Sequence, residues 1–123
     1  MTIEPGVQEL LDALATGITS ELMEVFTTQL TKVANSNPMD TRGFGINTIR
    51  EITSMESKSG FPILKVFGVF RHLRICFNAE GVHTEVWSMD ADYRAKKLSE
   101  HDCSYNDPKF RPEYFLDLLA GRY

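Results

Sequence analysis

The stretch Phe61-Pro62-Ile63-Leu64-Lys65-Val66-Phe67-Gly68-Val69-Phe70-Arg71-His72-Leu73-Arg74-Ile75-Cys76-Phe77-Asn78-Ala79-Glu80-Gly81-Val82-His83-Thr84-Glu85-Val86-Trp87-Ser88-Met89 decides the fold. Its β-branched and aromatic residues suit a pleated, half-buried surface better than a helix. Phe77-Asn78-Ala79-Glu80-Gly81-Val82 has the composition of a short hairpin loop, in which Asn and Gly can take left-handed backbone angles. Gly68-Val69 offers a second, tighter turn with glycine first. Counting outward from the two turns pairs Leu64 with Leu73, Ile75 with Thr84, Leu73 with Val86, and Arg74 with Glu85.

Side chains alternate across a strand, so Leu64, Val66, Leu73, Ile75, Phe77, Val82 and Val86 share one apolar face. The opposite face carries Lys65, His72, Arg74, Cys76, His83, Glu85 and Trp87, a mixture of charge, imidazole and one large ring. A one-residue slip in either hairpin would mix the two sets, so their separation supports the register.

Outward from this meander the pattern becomes helical. Pro5 with Val7, Leu10, Leu11 and Leu14 predicts an amphipathic helix ended by Gly17. Thr19 or Ser20 caps a second, with Glu21 near its positive end and Leu22, Phe26, Leu30 and Val33 facing inward. Asn35-Ser36-Asn37-Pro38 stops it, because the residue before proline is pushed out of the helical region. Ile46 to Thr53 reads as a first strand or a short helix, because Ile46, Ile49 and Ile52 repeat every third residue while Thr and Ile favour the strand, and Ser54 to Gly60 reads as an exposed connection. Beyond the meander, Asp90 caps a brief helix through Leu98, and a loop runs from Ser99 to Arg111. Pro112 then starts a last helix with Phe115, Leu118 and Leu119 inward and Gly121 at its end. The expected fold is one compact α+β domain over residues 1–123: two amino-terminal helices packed on an antiparallel meander of three to four strands, with a short carboxyl-terminal helix.

With 123 residues and 42% hydrophobic content, the chain is long enough for one core. No apolar run reaches the length of a membrane span, and the first residues lack a signal-peptide pattern. Cys76 and Cys103 form no CxxC pair, which favours a reducing cytoplasm. A net charge of −4 argues against binding nucleic acid through bulk charge. That charge is uneven: residues 1–40 hold six acids and one base, whereas residues 41–89 hold six bases and four acids. The meander is the basic part of an acidic protein.

No catalytic set converges in the sequence. Cys76 beside His83 satisfies the geometry of a thiol and its base, but nothing in the sequence supplies a third, orienting group. The same pair is too few ligands for zinc, and His101-Asp102-Cys103 is too compact to complete a site, so no metal is expected. Arg42-Gly43-Phe44-Gly45 lacks the flanks of a phosphate loop, and no cofactor is expected. Asp90, Asp92, Glu100, Asp102 and Asp107, interleaved with Arg94, Lys96 and Lys97, read as a solvated surface. The candidate binding residues are Lys65, Arg71, His72, Arg74, Glu85 and Trp87, because aromatic rings and arginine on an uncovered face mark recognition surfaces.

Two helices before a three-stranded meander, with Phe70-Arg71-His72-Leu73-Arg74-Ile75-Cys76-Phe77-Asn78-Ala79-Glu80-Gly81-Val82 followed by Tyr93-Arg94, resembles the RelE/ParE superfamily of small toxins over about half the chain. The resemblance implies RNA cleavage or RNA binding, with Arg71, Arg74, Lys65 and His72 orienting a phosphate and offsetting its developing charge. The residues by themselves favour another role: a small non-enzymatic interaction protein that binds and inhibits or modulates a larger protein. Accessory proteins of phages and mobile elements, including anti-defence proteins, share this size and character. Self-association as a homodimer through the sheet face or an edge strand is a third expectation.

Overall fold

The computed structural model describes residues 5–36, 49, 51–55, 61–68, 71–89 and 95–119. Two helices come first, α1 (Pro5–Ala15) and α2 (Thr19–Ser36). Five strands follow: β1 (Glu51–Met55), β2 (Ile63–Phe67), β3 (Arg71–Phe77), β4 (Gly81–Met89) and β5 (Ala95–Ser104). The helix α3 (Pro112–Leu119) comes last. The strands form one antiparallel sheet in sequence order, β1-β2-β3-β4-β5, so the meander has five strands rather than the expected three to four.

All three helices pack on one face of that sheet. Their apolar stripes, Val7 and Leu10 from α1, Leu22, Phe26 and Leu30 from α2, and Phe115, Leu116, Leu118 and Leu119 from α3, join Leu64, Val66, Leu73, Ile75, Phe77, Val82 and Val86 in one buried cluster. Phe26 sits at its centre, edge-on to Phe77 at 6.2 Å and to Phe115 at 5.1 Å between ring centroids, a favoured aromatic geometry. Gly17 ends α1 with a positive φ of 72°, as its position after the last turn requires.

Strands β3 and β4 pair as the sequence predicts, with Leu73 opposite Val86, Arg74 opposite Glu85, and Ile75 opposite Thr84. The turn before them is wider than Gly68-Val69 alone. Leu64 pairs with Ile75 rather than Leu73, and Val66 pairs with Leu73. The Gly68 amide donates to the Arg71 carbonyl at 2.8 Å to close that loop, whose Val69 and Phe70 lie outside the described residues. The displacement is two residues, one full pleat period, so every side chain keeps its predicted face.

Three further expectations are corrected. Residues 95–98 are strand rather than the end of a helix, and the strand continues through Ser104, where a loop was expected. Ser54 and Met55 likewise belong to β1 rather than to an exposed connection. The stretches 37–48, 56–60 and 90–94, with the stop expected at Pro38, the start of the expected strand at Ile46, the cap expected at Asp90 and the Tyr93-Arg94 pair, lie outside the described residues, as does Gly121.

The β3–β4 loop is held by its own Asn78 and by Tyr105, the residue after β5. Asn78 Oδ1 accepts the amides of Glu80 and Gly81 at 3.0 and 2.9 Å, and the Tyr105 hydroxyl donates to the Asn78 carbonyl at 2.5 Å. Burial pushes that hydroxyl's pKa up to about 12. Gly81 does not take the left-handed angle expected of it. Its requirement is spatial: a Cβ there would lie 2.1 Å from the Cys103 carbonyl oxygen, a backbone atom that cannot swing aside. Gly81→Ala should therefore force β4 and β5 apart and cost about 1–3 kcal/mol, read as a lower urea midpoint with faster amide exchange in β5.

Candidate functional site

The alternation that buries one face arranges the other in rows running across the strands. The first row is Phe67, His72, Trp87 and Lys97 from β2 to β5. The second is Lys65, Arg74, Glu85 and Glu100. The third is Ile63, Cys76, His83 and Asp102. Among the described residues, no helix lies over these rows.

The first row is aromatic. His72 stacks on Trp87 with centroids 6.1 Å apart and ring planes within 6°, and its other neighbour, Phe67, lies 5.3 Å away at 30°. Covered on both sides, His72 is only 8% exposed although it points away from the helices. Its Nδ1 is buried without a hydrogen-bond partner. Burial holds its pKa below the ordinary 6.5, and the charges of Lys65 and Arg74 add to that effect.

The second row is a charge gradient. Lys65 and Arg74 stand directly opposite one another on β2 and β3, and Glu85 and Glu100 do the same on β4 and β5. Where the halves meet, Arg74 lies 3.9 Å from Glu85, a half-exposed pair of small energetic value. Glu85 Oε1 also accepts the Trp87 indole N–H at 3.1 Å, which joins the aromatic row to the charged one. On β5, Lys97 donates to Glu100 and lies 4.0 Å from Glu85 Oε2.

The third row places Cys76 opposite His83, as expected, and the structure adds Asp102 as the third group that the sequence alone did not show. Asp102 Oδ1 lies 2.8 Å from His83 Nδ1. The other ring nitrogen, Nε2, faces Glu100 at 3.5 Å and Glu85 at 3.9 Å rather than the thiol. Burial pushes the Cys76 thiol up, away from the thiolate that a nucleophile needs. The cysteine therefore behaves as a small half-buried residue.

Of the candidate binding residues, Lys65, His72, Arg74, Glu85 and Trp87 share this face. Arg71 does not: it is in phase with the buried Leu73 and Ile75, at the Gly68 end of β3, and its side chain belongs to the helix side. Sequence reasoning missed Phe67, which the tighter turn placed near the loop. It also missed Lys97, Glu100 and Asp102, which became part of the site only once residues 95–104 paired as a strand. Their signal was a period of two from Ser99 to Cys103, faint because both faces there are mostly polar.

No family model matches the sequence, and comparison with curated proteins and with solved structures returned no significant match. Among the described residues, no helix is long and apolar enough to cross a membrane.

The His72 environment sets an acid limit on stability. Above 6.5 the imidazole is neutral in both folded and unfolded chains; below it the unfolded chain takes up a proton that the folded one resists, so stability falls as pH drops from 6.5 towards the lower folded value. His72→Phe keeps a ring between Phe67 and Trp87 and should flatten that fall. Urea midpoints at neutral and mildly acidic pH, compared between wild type and variant, measure it.

Proposed function

We propose that this chain is a small non-enzymatic interaction protein that uses the outer face of its sheet to bind, and so inhibit or modulate, a larger protein. The observation that carries this reading is the ring row Phe67–His72–Trp87 laid across three strands with no described helix covering it. Stacked rings beside an arginine, rimmed by paired charges, have the composition of an interface centre, where aromatic and Arg side chains contribute most of the binding energy. The charge gradient from Lys65 to Glu100 gives such a contact a polarity, which fixes the orientation of a complementary partner. The acidic helices α1 and α2 lie on the opposite side of the sheet, so they do not share that contact surface. The two free cysteines, Cys76 and Cys103, fit a reducing cytoplasm.

A second reading rests on the like charges of Lys65 and Arg74 held beside the rings. Together they would form a phosphate-and-stacking surface for RNA, the activity class implied by the resemblance to the RelE/ParE toxins. Glu85 and Glu100 on the same face favour a protein partner instead.

Tagged wild type, Trp87→Ala and Arg74→Ala, purified from native lysate at low and high salt, separate the readings. The protein reading predicts a stoichiometric protein partner whose affinity drops about thirtyfold with Trp87→Ala, roughly 2 kcal/mol, the size of an interface hot spot. Co-purifying RNA that is lost with Arg74→Ala would replace that reading with the second. A complex containing only this chain would assign the face to self-association.

A further inference from the structure

Three side chains on the outer face each bring one donor atom into a common cluster. They are His83 through Nε2, Glu85 through Oε2 and Glu100 through Oε2. These donor atoms lie within 4.8 Å of one another, with Nε2 at 3.5 Å from Glu100 and 3.9 Å from Glu85. Around zinc, with bonds of about 2.0–2.2 Å, tetrahedral donors stand about 3.4 Å apart, so small rotamer movements close the set.

Two of the three are oriented from behind by other residues. Asp102 holds His83 Nδ1 at 2.8 Å, and the Trp87 indole N–H donates to Glu85 Oε1 at 3.1 Å. A carboxylate on the far nitrogen of a histidine fixes the tautomer with its lone pair on the near one, which is how metal-binding imidazoles are prepared.

We propose that His83, Glu85 and Glu100 form a binding site for a divalent transition-metal ion of the zinc class, with Asp102 as the positioning residue for His83. One imidazole and two carboxylates suit zinc-class ions, and three protein donors leave at least one coordination position for water or a partner's side chain. The Lys97 ammonium is the built-in competitor. It bonds Glu100 and lies 4.0 Å from Glu85 Oε2, so it offsets the same two carboxylates that the ion would take. Site and lysine share one strand pairing, with Glu85 opposite Glu100 and Trp87 opposite Lys97 across the β4–β5 irregularity at Val86/Trp87. The site is independent of the partner reading above, since it is complete within one chain.

The test is Zn2+ alone titrated calorimetrically into chelator-treated protein. Wild type should bind one ion per chain. His83→Gln and Glu100→Gln should abolish that binding, and Asp102→Asn should weaken it roughly 10- to 100-fold, as loss of an orienting partner does. Lys97→Met should bind more tightly than wild type, a gain that a damaged fold cannot produce. Imidazole nitrogen shifts should assign the ion to Nε2 of His83 with the proton retained on Nδ1. Circular dichroism checks each variant's fold, and Glu100→Gln, altered at an exposed position, decides the matter if His83→Gln does not fold. Absence of stoichiometric binding by wild type, binding that survives both Gln variants, or a Lys97→Met protein with unchanged or weaker affinity would each overturn the proposal.

Discussion

The period of two along a strand, pinned by the β3–β4 register, is the constraint on which the rest of the molecule depends. Leu73, Ile75 and Phe77 must lie under the helices together with Val82, Thr84 and Val86, because all six are buried against one core. Once they do, His72, Arg74, Cys76, His83, Glu85 and Trp87 project to the other side, opposite one another in fixed pairs. The outer face is therefore the geometric complement of the core, and a one-residue slip would destroy both together.

Trp87 is the point at which the two features of that face meet. Its ring stacks on His72 and completes the aromatic row, while its N–H holds Glu85 in the charged one. A partner that displaced the indole would therefore also release a carboxylate beside His83.

Much of this was legible in the sequence because hydrophobic alternation is a strong signal where one face is fully buried. The helix stripes of α1, α2 and α3 and both faces of β3 and β4 follow from it. The Gly68 turn was misjudged, yet the error of one pleat period left every face intact. Strand β5 was illegible for a physical reason: it is an edge strand of exposed, mostly polar residues, with Cys103 its only buried apolar side chain and Leu98 exposed at the irregular pairing. Polar residues on both faces carry no hydrophobic period, and charged edges of this kind discourage pairing with further chains. The candidate site lost Glu100, Asp102 and Lys97 for that reason alone. Arg71, in phase with the buried Leu73 and Ile75, does not share the face of the other five candidate residues.

The pairing of β4 with β5 is the step that turns a basic meander into a face with opposed charges and a cluster around His83. Backbone nuclear Overhauser contacts in the labelled protein test it directly. The structure predicts cross-strand contacts joining Val82 to Cys103, Thr84 to His101 and Val86 to Ser99. Helical contacts between residues three apart from Ala95 to Leu98, or contacts placing Thr84 one residue away from His101, would contradict the account of both the fold and its outer face.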